Sequence, residues 1–176
     1  MTDRLWYSAP ASKIPAESEV NCMNRKVLFI SLLLISLVIS PCLSWAWSGR
    51  VVGIADGNTI TVLQDKEQVK IRLYGIDTPE RHQAFGNKAK QFTAKLVHGK
   101  EVEVEPVDVD RYGRTVGIVK IEDVILNEEL VREGFAWVYP HYCHRPICSK
   151  WYVLSVDAHD AKKGLWADPR NTAVGV

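Results

Sequence analysis

Asp77, Thr78 and Glu80 stand around Pro79 at the end of one short stretch that begins at Arg72. Proline fixes its own φ and with it the turn. Two carboxylates three residues apart can then approach one centre, with the Thr78 carbonyl and hydroxyl as further oxygens. A set made of oxygens, completed by water, suits a hard cation such as calcium, whereas zinc would call for cysteine or histidine. Arg72 lies five residues before Asp77, and Arg114 leaves a separate turn, Asp110-Arg111-Tyr112-Gly113-Arg114. Two guanidiniums can clamp a phosphodiester and the charge that builds on it during in-line attack. Spacing alone leaves a plainer alternative open. Acidic residues beside proline also make solvated loops, and each arginine could form a surface ion pair of little energetic consequence.

These groups need elements to hold them. Residues 50–55 and 60–63 read as short strands joined by Asp56-Gly57-Asn58-Thr59, whose glycine and asparagine tolerate positive φ. In residues 68–74, Val69, Ile71 and Leu73 alternate with Lys70, Arg72 and Tyr74, so Arg72 points away from the apolar face. Residues 86–99 read as a helix with Ala89, Phe92, Leu96 and Val97 at helical spacing and Gly99 in the capping position. Residues 101–105 alternate glutamate and valine as a strand with one wet face, and residues 115–121 form the next strand. A short helix covers residues 126–131. Residues 135–142, interrupted by Pro140, read as a loop, and a last helix spans about residues 150–163 with Leu154, Ala158 and Ala161 on one face. Trp151 and Trp166 read as packing aromatics. The fold class is α+β: a five-stranded OB-type β-barrel with three packed helices.

The 176-residue chain has room for one domain and a leader. Arg25 and Lys26, the apolar run of residues 27–39 and Ser44-Trp45-Ala46 are the three parts of a secretory signal peptide over residues 23–46. Residues 1–22 lack periodicity and read as an upstream extension, with Met23 as the start. The functional domain then spans 47–176 with a short tail, and a periplasmic or secreted location is expected. From Trp47 on, basic and acidic side chains are equal in number, so there is no broad basic field, and an anionic partner must be held by a local cluster. No stable protein partner is called for, and a monomer is expected. Cys143 and Cys148 are expected to pair in an oxidising compartment, a loop that would contribute about 2 kcal/mol. Their alternative is a metal pair with His141 and His144, a crowding unlike the separated pairs of a zinc site.

Taken together, Asp56–Thr59, Arg72–Glu80, Asp110–Arg114, Asn127–Gly134 and Lys162–Trp166 resemble, in their order, the staphylococcal nuclease (thermonuclease) family over most of the chain from Val51 to Asp168. The resemblance implies an OB-type barrel and a calcium-dependent phosphodiesterase acting on DNA and RNA with low sequence specificity, leaving 3′-phosphorylated products. It implies Arg72, Glu80 and Arg114 as catalytic residues. Glu80 would orient or deprotonate the attacking water and the arginines would hold the phosphate. Asp77 and the Thr78 carbonyl match metal ligands, and Tyr112 matches a residue beside the nucleotide. Asn58 stands where the family carries a metal-binding aspartate. It keeps an oxygen but removes a charge, so weaker calcium binding is expected. The region of the family's tyrosine-bearing base pocket departs too, through Pro140 and the cysteine loop, leaving Tyr139 and Tyr142 as candidates for stacking on a base. The rival reading from another class is a non-catalytic OB module that binds single strands or a protein through an impaired metal site.

Overall fold

Alternating apolar side chains need a second surface to bury against, and a strongly twisted sheet can supply it by curling onto itself. The computed structural model describes residues 46–168. The upstream stretch, the leader to residue 45 and residues 169–176 lie outside the described residues. Strands β1 (Trp47–Ile54), β2 (Thr59–Gln64), β3 (Glu67–Leu73), β5 (Glu101–Val109) and β6 (Thr115–Ile121) run in the order β3-β2-β1-β5-β6, and β3 also pairs with β6. The barrel is therefore closed and five-stranded, as the OB-type reading expects. Three two-residue strands add to it: β4 (Ile76–Asp77), β7 (Val124–Ile125) and β8 (Trp137–Val138). β7 extends the barrel sheet beyond β6, while β4 and β8 pair with each other.

Val51, Ile60, Val62, Ile71, Leu73, Val102, Val104 and Val119 fill the interior, each almost wholly buried. A fully buried side chain of this kind contributes about 1.5–3 kcal/mol relative to exposure. β5 outruns its expected end at residue 105. The register shifts between Pro106 and Asp108, and this bulge accommodates a proline that has no N–H for the ladder.

Helix α1 (Gly86–Val97) lays Ala89, Thr93 and Val97 against the barrel. α2 (Leu126–Arg132) buries Leu126, Leu130 and Val131. α3 (Ile147–Asp160) starts three residues before the expected Lys150, because Pro146 already holds helical dihedrals of −53° and −32°. Its main anchor is the fully buried Trp151, with Ala158 behind it and Leu154 only partly buried. Residues 135–142 are not wholly loop, since β8 and a 3-10 turn over Pro140–Tyr142 occupy most of them.

One buried polar side chain joins these parts. Asn127 on α2 accepts from the Val119 N–H at 3.1 Å and donates to the carbonyls of Tyr74 at 3.0 Å and Gly117 at 3.3 Å. It thereby ties the end of β3 to β6 at the place where the barrel closes. Replacing Asn127 by alanine strands these groups without water. Urea unfolding should show a loss of about 2–4 kcal/mol; a loss below about 1 kcal/mol would mean that the closure does not depend on this residue.

Candidate active site

The parallel β3–β6 pairing opposes Ile71 to Thr115 and Arg72 to Val116. Arg72, near the end of β3, and Arg114, just before β6, are thus brought to the same side of the barrel closure. The turns beyond them are held by short-range polar contacts.

The acidic turn is organised around one atom. Asp77 Oδ1 accepts from the Arg72 guanidinium at 2.7 Å, from Asn58 Nδ2 at 2.9 Å and from the Thr78 N–H at 3.0 Å. Arg72 also reaches the Ile76 carbonyl at 3.4 Å. Asn58 arrives there from the β1–β2 turn, where its N–H donates to Asp56 Oδ1 at 3.0 Å and its own Oδ1 accepts from the Thr59 hydroxyl at 3.2 Å. That turn is docked from two sides. Thr93 of α1 donates to the Gly57 carbonyl at 2.6 Å. A Cβ on Gly57 would lie only 2.8 Å from Ala89 Cβ and 3.0 Å from Thr78 Oγ1, so glycine lets the two turns touch. Asn58 and Thr78 are buried, and Glu80 projects into solvent. The Glu80 N–H is held by Gln83 Oε1 at 2.7 Å, which leaves its carboxylate outside this backbone tie.

The Arg114 turn is self-contained. Asp110 Oδ1 accepts the N–H groups of Tyr112 at 2.9 Å and Arg114 at 3.0 Å, while Oδ2 accepts Arg114 Nε at 2.6 Å. Burial pushes the Asp110 carboxyl up, but the Arg114 N–H, the Arg114 guanidinium and the Tyr112 N–H outweigh it and hold the group below its ordinary value. Among the described residues, no hydrogen bond uses the terminal nitrogens of Arg114. The guanidiniums of Arg111 and Arg114 lie 4.8 Å and 5.4 Å from the Tyr112 ring centre. The ion-pair alternative is therefore realised as well: Arg72 and Arg114 each have an acidic partner, yet each pair orients a guanidinium rather than consuming it.

A cleft of about 670 Å³ brings Arg72 together with the Arg114 turn. Arg72, Arg111, Tyr112 and Arg114 line one part of it, and Tyr139, His141, Tyr142 and His144 line another. Asn58, Thr78 and Glu80 are not among its lining residues; Arg72 is the side chain that both faces the cleft and holds Asp77. The ring centres of Tyr139 and Tyr142 are 5.1 Å apart, and His141 meets Tyr142 edge-on at 4.7 Å. Cys143 and Cys148 form the expected disulfide just behind this cluster. With both sulfurs bonded, no thiolates remain for a metal site with His141 and His144. Among the described residues no group of three or more His, Cys, Asp or Glu side chains could hold a metal ion.

Reading by residue type misses four contributors. Asp110 was read as part of a turn, although an aspartate two and four residues before N–H groups that it can cap is a recognisable signal for fixing Arg114. Spacing beside the cysteines suggests His141 and His144 only as metal ligands. Nothing local marks Tyr74, whose phenol receives N–H groups from residues about 70 positions away.

The fold is a closed OB-type barrel with packed helices, and its candidate site is a paired-arginine cleft beside an acidic turn. The sequence pattern of the family described as "Staphylococcal nuclease homologue" matches residues 70–168. An "Uncharacterized endonuclease" of Haemophilus influenzae is 43% identical over 148 residues, covering 83% of this chain and 81% of its own. A "Micrococcal nuclease" of Shigella flexneri is 40% identical over 136 residues, covering 72% and 78%. The chain belongs to the staphylococcal nuclease family, and it is a nuclease.

The lowered pKa of Asp110 fixes the sign of a pH effect. Its contribution to stability is fully present above the unfolded-state value of about 3.9 and is lost as pH falls through the lower folded value. Asp110→Asn should therefore flatten the loss of thermal stability below about pH 4. An acid limb as steep as that of the wild type would show that Asp110 is not held by this turn.

Proposed function

We propose that this nuclease is an exported, calcium-dependent phosphodiesterase that cleaves DNA and RNA with low sequence specificity and leaves 3′-phosphorylated products. The observation that carries the reading is that Arg72 and Arg114, each oriented by its own carboxylate, line one cleft with aromatic rings on either side. A scissile phosphate between the guanidiniums would receive bidentate hydrogen bonds that strengthen as its oxygens gain charge. Tyr112, Tyr139 and Tyr142 offer ring faces to flanking bases, and stacking of this kind tolerates any base. Glu80, exposed at the end of the acidic turn, is assigned the attacking water as general base. Arg114 is assigned the leaving 5′-oxygen. Export is supported by the three-part leader over residues 23–46 and by the paired cysteines.

The donors around Asp77 fit a hard cation in kind: one carboxylate, the Thr78 carbonyl and the Asn58 side-chain oxygen. A calcium ion held there would act as Lewis acid and template for the phosphate. The fit has one condition. Across 2.9 Å a carboxylate oxygen requires a donor, and Asn58 presents its amide N–H₂. Ligation through Asn58 thus requires the amide to turn over, exchanging this hydrogen bond for an oxygen facing the cation.

Two outcomes test these assignments. Glu80→Gln should lower kcat by about a hundredfold or more with KM little changed; wild-type turnover would remove Glu80 from the chemistry. Asn58→Asp sets two carboxylates against each other, so its Tm in chelator should fall and its Tm increase on adding calcium should exceed that of the wild type. Identical melting curves under both conditions would show that position 58 does not face the cation.

A further inference from the structure

The wall formed by Tyr139, His141 and Tyr142 has little buried surface of its own. Tyr139 and Tyr142 are exposed, and no residue of the 3-10 turn over Pro140–Tyr142 is buried. Its ties to the barrel run mainly through two neighbouring residues, Tyr74 and Gly75, with Arg145 also paired to Glu105 of β5 at 2.6 Å. The Tyr139 N–H donates to the Gly75 carbonyl at 2.9 Å. The Tyr74 phenol oxygen accepts the N–H groups of His144 at 2.9 Å and Arg145 at 3.2 Å. The Cys143–Cys148 disulfide, buried at both ends, packs against Gly75. Gly75 has φ of +70°, and a Cβ there would lie 2.5 Å from Cys143 Sγ and 3.2 Å from Trp151 Cζ3. Tyr74 and Gly75 are the two residues between the end of β3, which carries Arg72, and β4, which carries Asp77.

We propose that the Cys143–Cys148 disulfide is a positioning element for the substrate base: it holds the Tyr139–Tyr142 wall in register with Arg72, so that the grip on nucleic acid depends on an oxidised bond. This rests on the nuclease reading of the cleft. The bond joins the wall to the first turn of α3, which Trp151 anchors in the core. Without it the wall keeps hydrogen bonds and the half-exposed Arg145–Glu105 ion pair, which contributes little, and binding must supply the entropy of ordering it. The groups assigned to chemistry are carried elsewhere, Arg72 on β3, Arg114 before β6 and Glu80 beyond β4, so their geometry outlasts the bond.

A dithiol opens it by exchange once local opening of the wall exposes the buried sulfurs. A reductant thiolate attacks one sulfur and displaces the other as a thiolate that takes a proton. The second reductant thiol then closes on the mixed disulfide, leaving two cysteine thiols and one cyclic disulfide of the reductant. The enzyme would hold substrate weakly where thiols are kept reduced and tightly in an oxidising compartment.

The test is steady-state kinetics on a short single-stranded DNA and on the same strand with abasic sites flanking the cleaved phosphate. It uses the oxidised wild type, the wild type in dithiothreitol, Cys143→Ser/Cys148→Ser, and Tyr74→Phe, which keeps the disulfide but removes the phenol anchor. On the normal strand, reduction and the double substitution should each raise KM roughly tenfold, as loss of about one base stack would, with kcat within about threefold. Tyr74→Phe should raise KM in the same direction. On the abasic strand the differences should vanish. An unchanged KM, or an equal loss on both strands, would overturn the proposal and leave the bond a purely stabilising crosslink. If the serine variant fails to fold, the reduced wild type and Tyr74→Phe decide the question. Absence of cleavage by the oxidised wild type would instead overturn the nuclease assignment of the cleft.

Discussion

Three hydrogen-bond donors from three parts of the chain meet at Asp77 Oδ1: the guanidinium of Arg72 on β3, the amide of Asn58 from the β1–β2 turn, and the N–H of Thr78. A carboxylate oxygen in a half-buried site needs such donors to offset the loss of water. Because they come from separate parts of the chain, satisfying one atom fixes their positions relative to one another. Arg72 is thereby aimed at the cleft, and the backbone from Ile76 onward is set on the course that presents Glu80. The barrel supplies the scaffold for this arrangement. The β3–β6 closure, secured by Asn127, decides where the end of β3 stands relative to the start of β6.

The two arginines are held by the same device in different contexts. Arg72 is fixed by an acid five residues later and by tertiary contacts around it. Arg114 is fixed by an acid four residues earlier within one turn. Exposed ion pairs contribute little to stability, and these half-buried ones matter chiefly for orientation. Each leaves nitrogens unspent for an anion. That is how a domain with balanced charge can hold a polyanion: the guanidiniums of Arg72, Arg111 and Arg114 converge on one cleft. The aromatic wall is a later layer on the same site, docked through Tyr74 and Gly75.

Much of this was legible in the residues. Period-two alternation in residues 68–74 and 101–105 marked the strands and the outward face of Arg72, and the buried valines follow it. The helical spacing of Ala89 and Val97 placed α1 correctly. What local patterns could not convey were partnerships fixed by closure. Asn127 sits inside an amphipathic helix, where a polar residue ordinarily faces solvent, and only the barrel end makes it a bridge. The early start of α3 depended on Pro146 entering the helix rather than ending a loop. At the site, Asp77 and Arg72 were readable from residue types, and the disulfide from compartment. The meeting of Asn58 with Asp77 was not, because a separation of 19 residues across two turns leaves no periodic trace. Its consequence, an amide that must turn to offer oxygen, is a matter of which atom faces a carboxylate, and sequence does not carry that.

In the proposed mechanism the paired arginines and Glu80 drive water in line against phosphorus with loss of the 5′-oxygen. The most direct measurement is mass spectrometry of the termini left when the protein digests a defined oligonucleotide in calcium. The account predicts fragments ending in 3′-phosphate with 5′-hydroxyl partners, and none when calcium is chelated. Fragments with 5′-phosphate and 3′-hydroxyl ends, or an intact strand in the presence of calcium, would contradict it.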